Sequence, residues 1–494
     1  MNINKYQELE FPNIRTQKIR CVFSRYAKQW FVEGLLYSTF VALIWTNEEP
    51  SKFNTLLVSW SAYAAVAIVL MKATRSGTII NPTKWIRMYF IQSLLLLVVC
   101  NFIWLKGSVP RADGDYFDPI RFDYYSVILA DSGMDPAEVT FQNYTGTIWY
   151  AGFIYWVFGV SKFYVTLFNG ALSFITLVLF ASIMRQIEGN PQRWQWLRFG
   201  MILPDFLIHF ANVSKEPLCA FIVALGIWVI AKNMAKGRIL PTLVSLAPVL
   251  VLGLAVRAAA AVLVVFVAFI WFWKSGGRKR KIGALIIACT ILLMGQPITD
   301  YVLQKTGASQ LNWRHLLSIL TDPSSRIRED LYYAPDSWCA IIESLPFYLA
   351  PVAAPIKGIF MMIAPMPLWR LHFDKILGNI INSNYVSPEL EQLFPKITSW
   401  LFVISIPLLS SAFFDTYRTN RRLWITFPLT FALVIALMGF SVYGIIETRY
   451  RPMILPFWLS VCGIGYYYGR PKRYICITIV IAVLGAVIYL IYKI

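Results

Sequence analysis

Residues 162–183, KFYVTLFNGALSFITLVLFASI, open on the charged side chain of Lys162 and then run to Ile183 without another. At about 1.5 Å per helical residue this is enough chain to cross a hydrocarbon layer of roughly 30 Å. A lipid-immersed backbone must satisfy its own hydrogen bonds, so the stretch reads as a membrane-spanning α-helix. Similar apolar runs precede it at 30–45, 55–71 and 88–105. Others follow at 199–213, 218–231, 239–256, 258–273, 282–298, 397–414, 423–443, 453–468 and 475–492. The expected fold class is therefore all-α, a polytopic transmembrane protein of about thirteen spans.

The composition agrees. Of 494 residues, 57% are hydrophobic and only 14% charged, against roughly a quarter charged in soluble domains. The net charge of +19 invites a nucleic-acid reading, but its distribution argues otherwise. Basic residues cluster in the first 29 residues and at 72–87, 184–198, 232–238, 274–281, 415–422 and 470–474, on alternate sides of the apolar runs. This is the positive-inside pattern, which predicts a cytoplasmic N-terminus and no nucleic-acid partner. The basic N-terminus lacks a small-residue cleavage site after a short apolar region, so it reads as leading into an uncleaved first span. The seven cysteines are scattered without a CxxC pair, which supports neither a disulfide framework nor a metal knuckle.

Six segments follow: a cytoplasmic segment (1–29), N-terminal spans (30–105), a first large outer loop (106–160), central spans (161–300), a second large outer segment (301–396) and C-terminal spans (397–494). Within the first loop, 148–159 (IWYAGFIYWVFG) is aromatic and too short to cross. It suits an interfacial helix, because Trp and Tyr rings favour the headgroup level. Within the second, 345–367 is apolar but broken by five prolines. A re-entrant or surface-lying segment fits it better than a straight span.

Acidic residues avoid the cytoplasmic segments, where only Glu8, Glu10, Glu188 and Asp415 fall. Any chemistry is expected on the outer face. Four constellations meet there. The first, RADGDYFDPIRFDYYSVILADSG at 111–133, offers Asp113, Asp115 and Asp123 as general bases or as ligands for a divalent cation, with Asp123 as a helix N-cap the plainer alternative. In the second, HFANVSKEPL at 209–218, Lys215 and Glu216 are expected at the membrane surface, where the ammonium could bind a phosphate. His209 lies one helical turn beyond Asp205, an intramembrane carboxylate that needs a partner or a cavity. The third is Arg257, alone between two apolar runs and open to reading as an interfacial anchor or a ligand. The fourth, GIIETRYRPMILPF at 444–457, presents Arg449 and Arg451 as a phosphate clamp, unless Glu447 pairs with Arg449.

These motifs resemble the GT-C superfamily of membrane glycosyltransferases, over residues 113 to about 457: an acidic first outer loop, an aromatic interfacial helix, a Lys-Glu-Pro hairpin and an Arg-Tyr-Arg-Pro hairpin. The chain is also similar to membrane proteins of bacterial surface-polysaccharide clusters. The resemblance implies inverting transfer of a sugar from a polyprenyl-phosphate or polyprenyl-diphosphate lipid to a glycan or lipid acceptor, at the outer face of a bacterial plasma membrane. It further implies a base among Asp113, Asp115 and Asp123, and phosphate binding by Lys215, Arg257, Arg449 and Arg451. The family's adjacent acidic pair is missing, since Gly114 separates Asp113 from Asp115. No metal site follows from the residues, and a divalent cation stays an open alternative. Two rivals stand beside this reading. One is a polysaccharide polymerase or ligase of the O-antigen type, using Arg314, His315, Arg326 and Arg328. The other is a transporter of lipid-linked glycans.

Overall fold

The computed structural model describes residues 16–44, 51–101, 118–139, 145–234, 239–274, 281–282, 388–416, 427–442, 451–480 and 483. Among them every regular element is helical. Long helices are α1 (Thr16–Ile44), α2 (Lys52–Arg75), α3 (Pro82–Val99), α6 (Lys162–Glu188) and α8 (Glu216–Met234). Between α3 and α6 lie two helices of 14 residues each, α4 (Asp118–Asp131) and α5 (Thr145–Phe158). After α6 come the short α7 (Pro204–Phe210), then, beyond α8, α9 (Ile239–Val256) and α10 (Ala258–Lys274). The C-terminal part contributes α11 (Pro388–Phe414), α12 (Pro428–Val442) and α13 (Arg451–Tyr468).

Four described helices, α2, α6, α8 and the Leu393–Phe414 part of α11, are long and apolar enough to cross a membrane. Helices α6 and α8 are buried along most of their length, whereas α2 and α11 bury less than half. The apolar stretch 162–183 thus lies in the central helix, α6. It packs against α2, α3, α8 and α13, while α8 in turn carries α9 and α10. Large side chains fill the layers between them, among them Trp85, Phe174, Phe180 and Phe457. Phe180 meets Phe457 edge-on at 5.1 Å, a preferred aromatic geometry.

Several boundaries differ from those expected. Helix α1 begins at Thr16 rather than Trp30, and α3 at Pro82 rather than Met88. Helix α11 begins at Pro388, nine residues before the apolar run at 397. In each case a stretch richer in polar and charged residues precedes the apolar part of the same helix.

The larger correction concerns residues 199–213, expected as one α-helical span. Residues Pro191–Ile202 form a 3-10 helix, Leu203 is extended, and α7 supplies only seven helical residues. Proline starts both pieces, where a missing N–H costs nothing. Gly200 lies so close to its neighbours that a Cβ there would sit 2.8 Å from Leu459 and 2.9 Å from Leu177. The broken segment runs the length of α13. At one end Arg193 bonds the Tyr468 hydroxyl at 2.6 Å, and at the other Asp205 pairs with Arg451. A 3-10 helix rises about 2.0 Å per residue, so twelve residues cover roughly the 25 Å of α13.

Helices α11 and α13 approach closely at Gly465, where a Cβ would lie 1.9 Å from the Leu408 carbonyl oxygen. Backbone cannot yield as a side-chain tip can. Gly465→Ala is expected to destabilise the protein by about 1–3 kcal/mol, read as a lower unfolding midpoint in detergent. An unchanged midpoint would contradict this packing.

Below Gly465, Asp415 ties the chain after α13 to the end of α11. It accepts from the Arg470 N–H at 2.6 Å, the Tyr474 hydroxyl at 2.8 Å and the Ser411 hydroxyl at 2.9 Å. Its slight burial opposes ionisation, but these donors and nearby Arg473 outweigh it and hold the carboxyl below the usual carboxylate range.

Candidate functional site

At the opposite end of the bundle, helices α4 and α5 lie across the start of α6. Their pairing is fixed by Ser126, whose hydroxyl bonds the Phe122 carbonyl at 2.6 Å and lies 3.2 Å from the Ile148 carbonyl oxygen. One face of α5 is buried through Ile148, Ala151, Ile154 and Tyr155. The other face exposes Phe153 and Trp156. The expected short aromatic helix is therefore present over Thr145–Phe158.

Asp123 stands in the second turn of α4, which starts at Asp118, so it is not the N-cap that its position suggested. The Tyr155 hydroxyl donates to its Oδ1 at 2.5 Å, and Lys162 Nζ is 3.4 Å from its Oδ2. The carboxylate keeps 19% of its side-chain exposure. It is oriented by two partners and still open to a small molecule. Neither partner was singled out by sequence. Lys162 carried a usable signal, as a lone charge at the edge of an apolar run.

The loop between α7 and α8 folds inward. Asn169 of α6 donates to the carbonyls of Phe210 at 3.1 Å and Asn212 at 2.9 Å, and accepts from the Tyr150 hydroxyl at 3.0 Å. The Ser214 hydroxyl closes the loop onto the His209 carbonyl at 2.7 Å. Lys215 and Glu216, expected at the membrane surface, are consequently buried, at 2% and 3% exposure. Burying an ammonium is costly without compensation. Here the Phe122 ring lies 5.5 Å from Lys215 Nζ, a cation–π contact that strengthens when desolvated. Phe122 is the residue before Asp123, so one turn of α4 touches both the carboxylate and the ammonium.

Arg257 is the single non-helical residue between α9 and α10. It is not an exposed anchor at a span boundary: it is buried, with Nη1 3.6 Å from Glu216 Oε1. Glu216, as the first residue of α8, places its negative charge where the helix macrodipole favours it. Asp123, Lys215, Glu216 and Arg257 are thereby gathered at one end of the bundle.

Arg451 belongs to an adjoining group. It is fully buried and 3.2 Å from Asp205, also fully buried. Its other bonds go to the Pro395 carbonyl and the Ser399 hydroxyl, each at 2.8 Å. This differs from the exposed phosphate clamp suggested by sequence, because α7 and α11 enclose the guanidinium. Asp205 does have the partner that an intramembrane carboxylate requires. His209 is half-buried at the end of α7.

Asp113, Asp115, Glu447 and Arg449 lie outside the described residues, as do Arg314, His315, Arg326 and Arg328 of the rival reading. Among the described residues no group of three or more His, Cys, Asp or Glu side chains could hold a metal ion. The fold defines the class as a helical membrane protein with a charged cluster at one end of its bundle. In comparisons of sequence and fold, no family model, no curated protein and no solved structure matches this chain. Its functional reading accordingly rests on the chemistry of the cluster.

Proposed function

We propose that the protein is a membrane glycosyltransferase that moves a sugar from a polyprenyl-phosphate carrier to a hydroxyl of a glycan or lipid acceptor. The observation that carries this reading is the α4 turn at Phe122 and Asp123, which joins a partly open carboxylate to a buried ammonium. Asp123 takes the proton of the acceptor hydroxyl as its oxygen attacks the anomeric carbon. The bond from that carbon to the phosphate oxygen breaks, and the phosphate leaves with the electron pair. Attack opposite the leaving group inverts the anomeric configuration. Lys215 and Arg257 meet the charge that grows on the departing phosphate, in a dry setting where such stabilisation is strong. Glu216 orients Arg257. The exposed aromatic face of α5 suits a position at the headgroup level, where a lipid-borne donor would arrive.

Native mass spectrometry of the full chain offered polyprenyl phosphate, polyprenyl diphosphate and the uncharged polyprenol tests the donor half. The phosphate forms should be retained over the alcohol. Lys215→Gln should lower that preference about tenfold, the worth of one charge-assisted hydrogen bond. Equal retention of the alcohol would overturn the reading. Retention together with uptake of an intact labelled glycan into vesicles, without a new glycosidic bond, would favour transport instead.

A further inference from the structure

We propose that the turn joining α2 to α3, at the end of the bundle opposite the candidate site, binds the acidic headgroups of phospholipids in the leaflet it faces. Lys72 and Arg75 stand in the last turn of α2, and Lys84 and Arg87 in the first two turns of α3. All four are exposed. Each pair is three residues apart, hence on one side of its helix. The turn is held rigidly. Gln195 of the 3-10 segment accepts from the Trp85 ring N–H at 3.0 Å and donates to the Thr78 carbonyl at 3.0 Å.

Three features separate this arrangement from a mere excess of charge. First, Lys84 sits in the first turn of α3, where the macrodipole is positive. The first turn has no acidic residue, and Asn81 makes no side-chain capping bond. Cations there are unfavourable for the helix by itself, and an external anion relieves them. Second, Glu188 and Asp415, the carboxylates that the described residues place at this end, are engaged within the protein. Glu188 takes Arg193 at 2.8 Å and the Trp194 ring N–H at 2.6 Å, and Asp415 holds the chain after α13. Among the described residues no carboxylate forms an ion pair with Lys72, Lys84 or Arg87. Third, an exposed apolar side chain stands among the cations. Ile80, at the turn itself, is 42% exposed. Apolar groups entering the acyl boundary beside cations at phosphate level are the marks of an interfacial surface.

The test uses the full chain in vesicles of equal phosphatidylglycerol and phosphatidylethanolamine, followed by native mass spectrometry of the lipids carried out with it. Wild type should retain phosphatidylglycerol in excess. Each cation removed in the series Lys84→Gln, Arg87→Gln and Lys72→Gln should lower that excess by up to about fivefold. Lys52→Gln, which removes a cation from the other end of α2, should leave it unchanged, as should the charge-keeping variant Lys72→Arg with Lys84→Arg. The proposal is overturned if the triple variant keeps the wild-type excess, or if it loses both lipids alike. Loss of selectivity in the charge-keeping variant would also overturn it, since that points to altered folding rather than to charge.

Discussion

Arg451→Met is expected to destabilise the protein by about 3–5 kcal/mol, the usual consequence of leaving a buried charge without its counter-ion. The orphaned group would be Asp205, wholly enclosed among α7, α11 and α13. Both members of the pair occupy telling positions. Asp205 lies in the first turn of α7, where the macrodipole welcomes an anion, whereas Arg451 begins α13, where it opposes a cation. Arg451 is therefore held by Asp205, the Pro395 carbonyl and Ser399, and not by its own helix. Adding Asp205→Asn to the Arg451→Met chain removes the stranded charge and should recover more than half of the loss. Unfolding in mixed detergent, followed for the two single variants and the double, measures the coupling. Additive losses would mean that the pair does not interact as the geometry requires.

The second large effect concerns chemistry. Asp123→Asn should reduce sugar transfer about 100- to 10,000-fold, the range for removing a general base. Retention of polyprenyl phosphate should persist, because Lys215 and Arg257, the cations proposed to meet the phosphate, are untouched. Lys162→Met should act in the same direction but more weakly, since it removes one of the two groups that orient the carboxylate. Transfer from a panel of polyprenyl-phosphate sugars to membrane acceptors provides the measurement. Full transfer by the Asp123→Asn chain would exclude this residue as the base and leave Asp113 and Asp115 to be tested in the same way.

Much of the helical framework was legible because composition and length decide it. The run from Lys162 to Ile183 is apolar all round, and a helix apolar on every side is a buried one. That became α6, the centre of the bundle. The 3-10 segment was hidden for the same reason. Residues 199–213 are as apolar as a span, and hydropathy does not distinguish a helix that rises 1.5 Å per residue from one that rises about 2.0 Å. Pro191, Gly200 and Pro204 were the local clues.

In the site, residue types were readable and pairings were not. An intramembrane Asp205 called for a partner, but Arg451 lies 246 positions away and is only one of several candidate arginines. The burial of Lys215 depends on Asn169 drawing the loop inward and on Phe122 covering it, which are tertiary contacts without a local pattern. Arg257 looked solitary because Glu216 is brought to it by the packing of α8 against α9 and α10.

The segment of residues 191–205 works as a ruler. Fastened to α13 near Tyr468 and again at Arg451, it has a span to fill and no slack with which to fill it. Its twelve 3-10 residues, Pro191–Ile202, wound as an α-helix would be about 6 Å shorter, more than one helical turn. This part of the chain is thus intolerant of any change in residue count. Length, as much as its anchoring side chains, is what it contributes to the molecule.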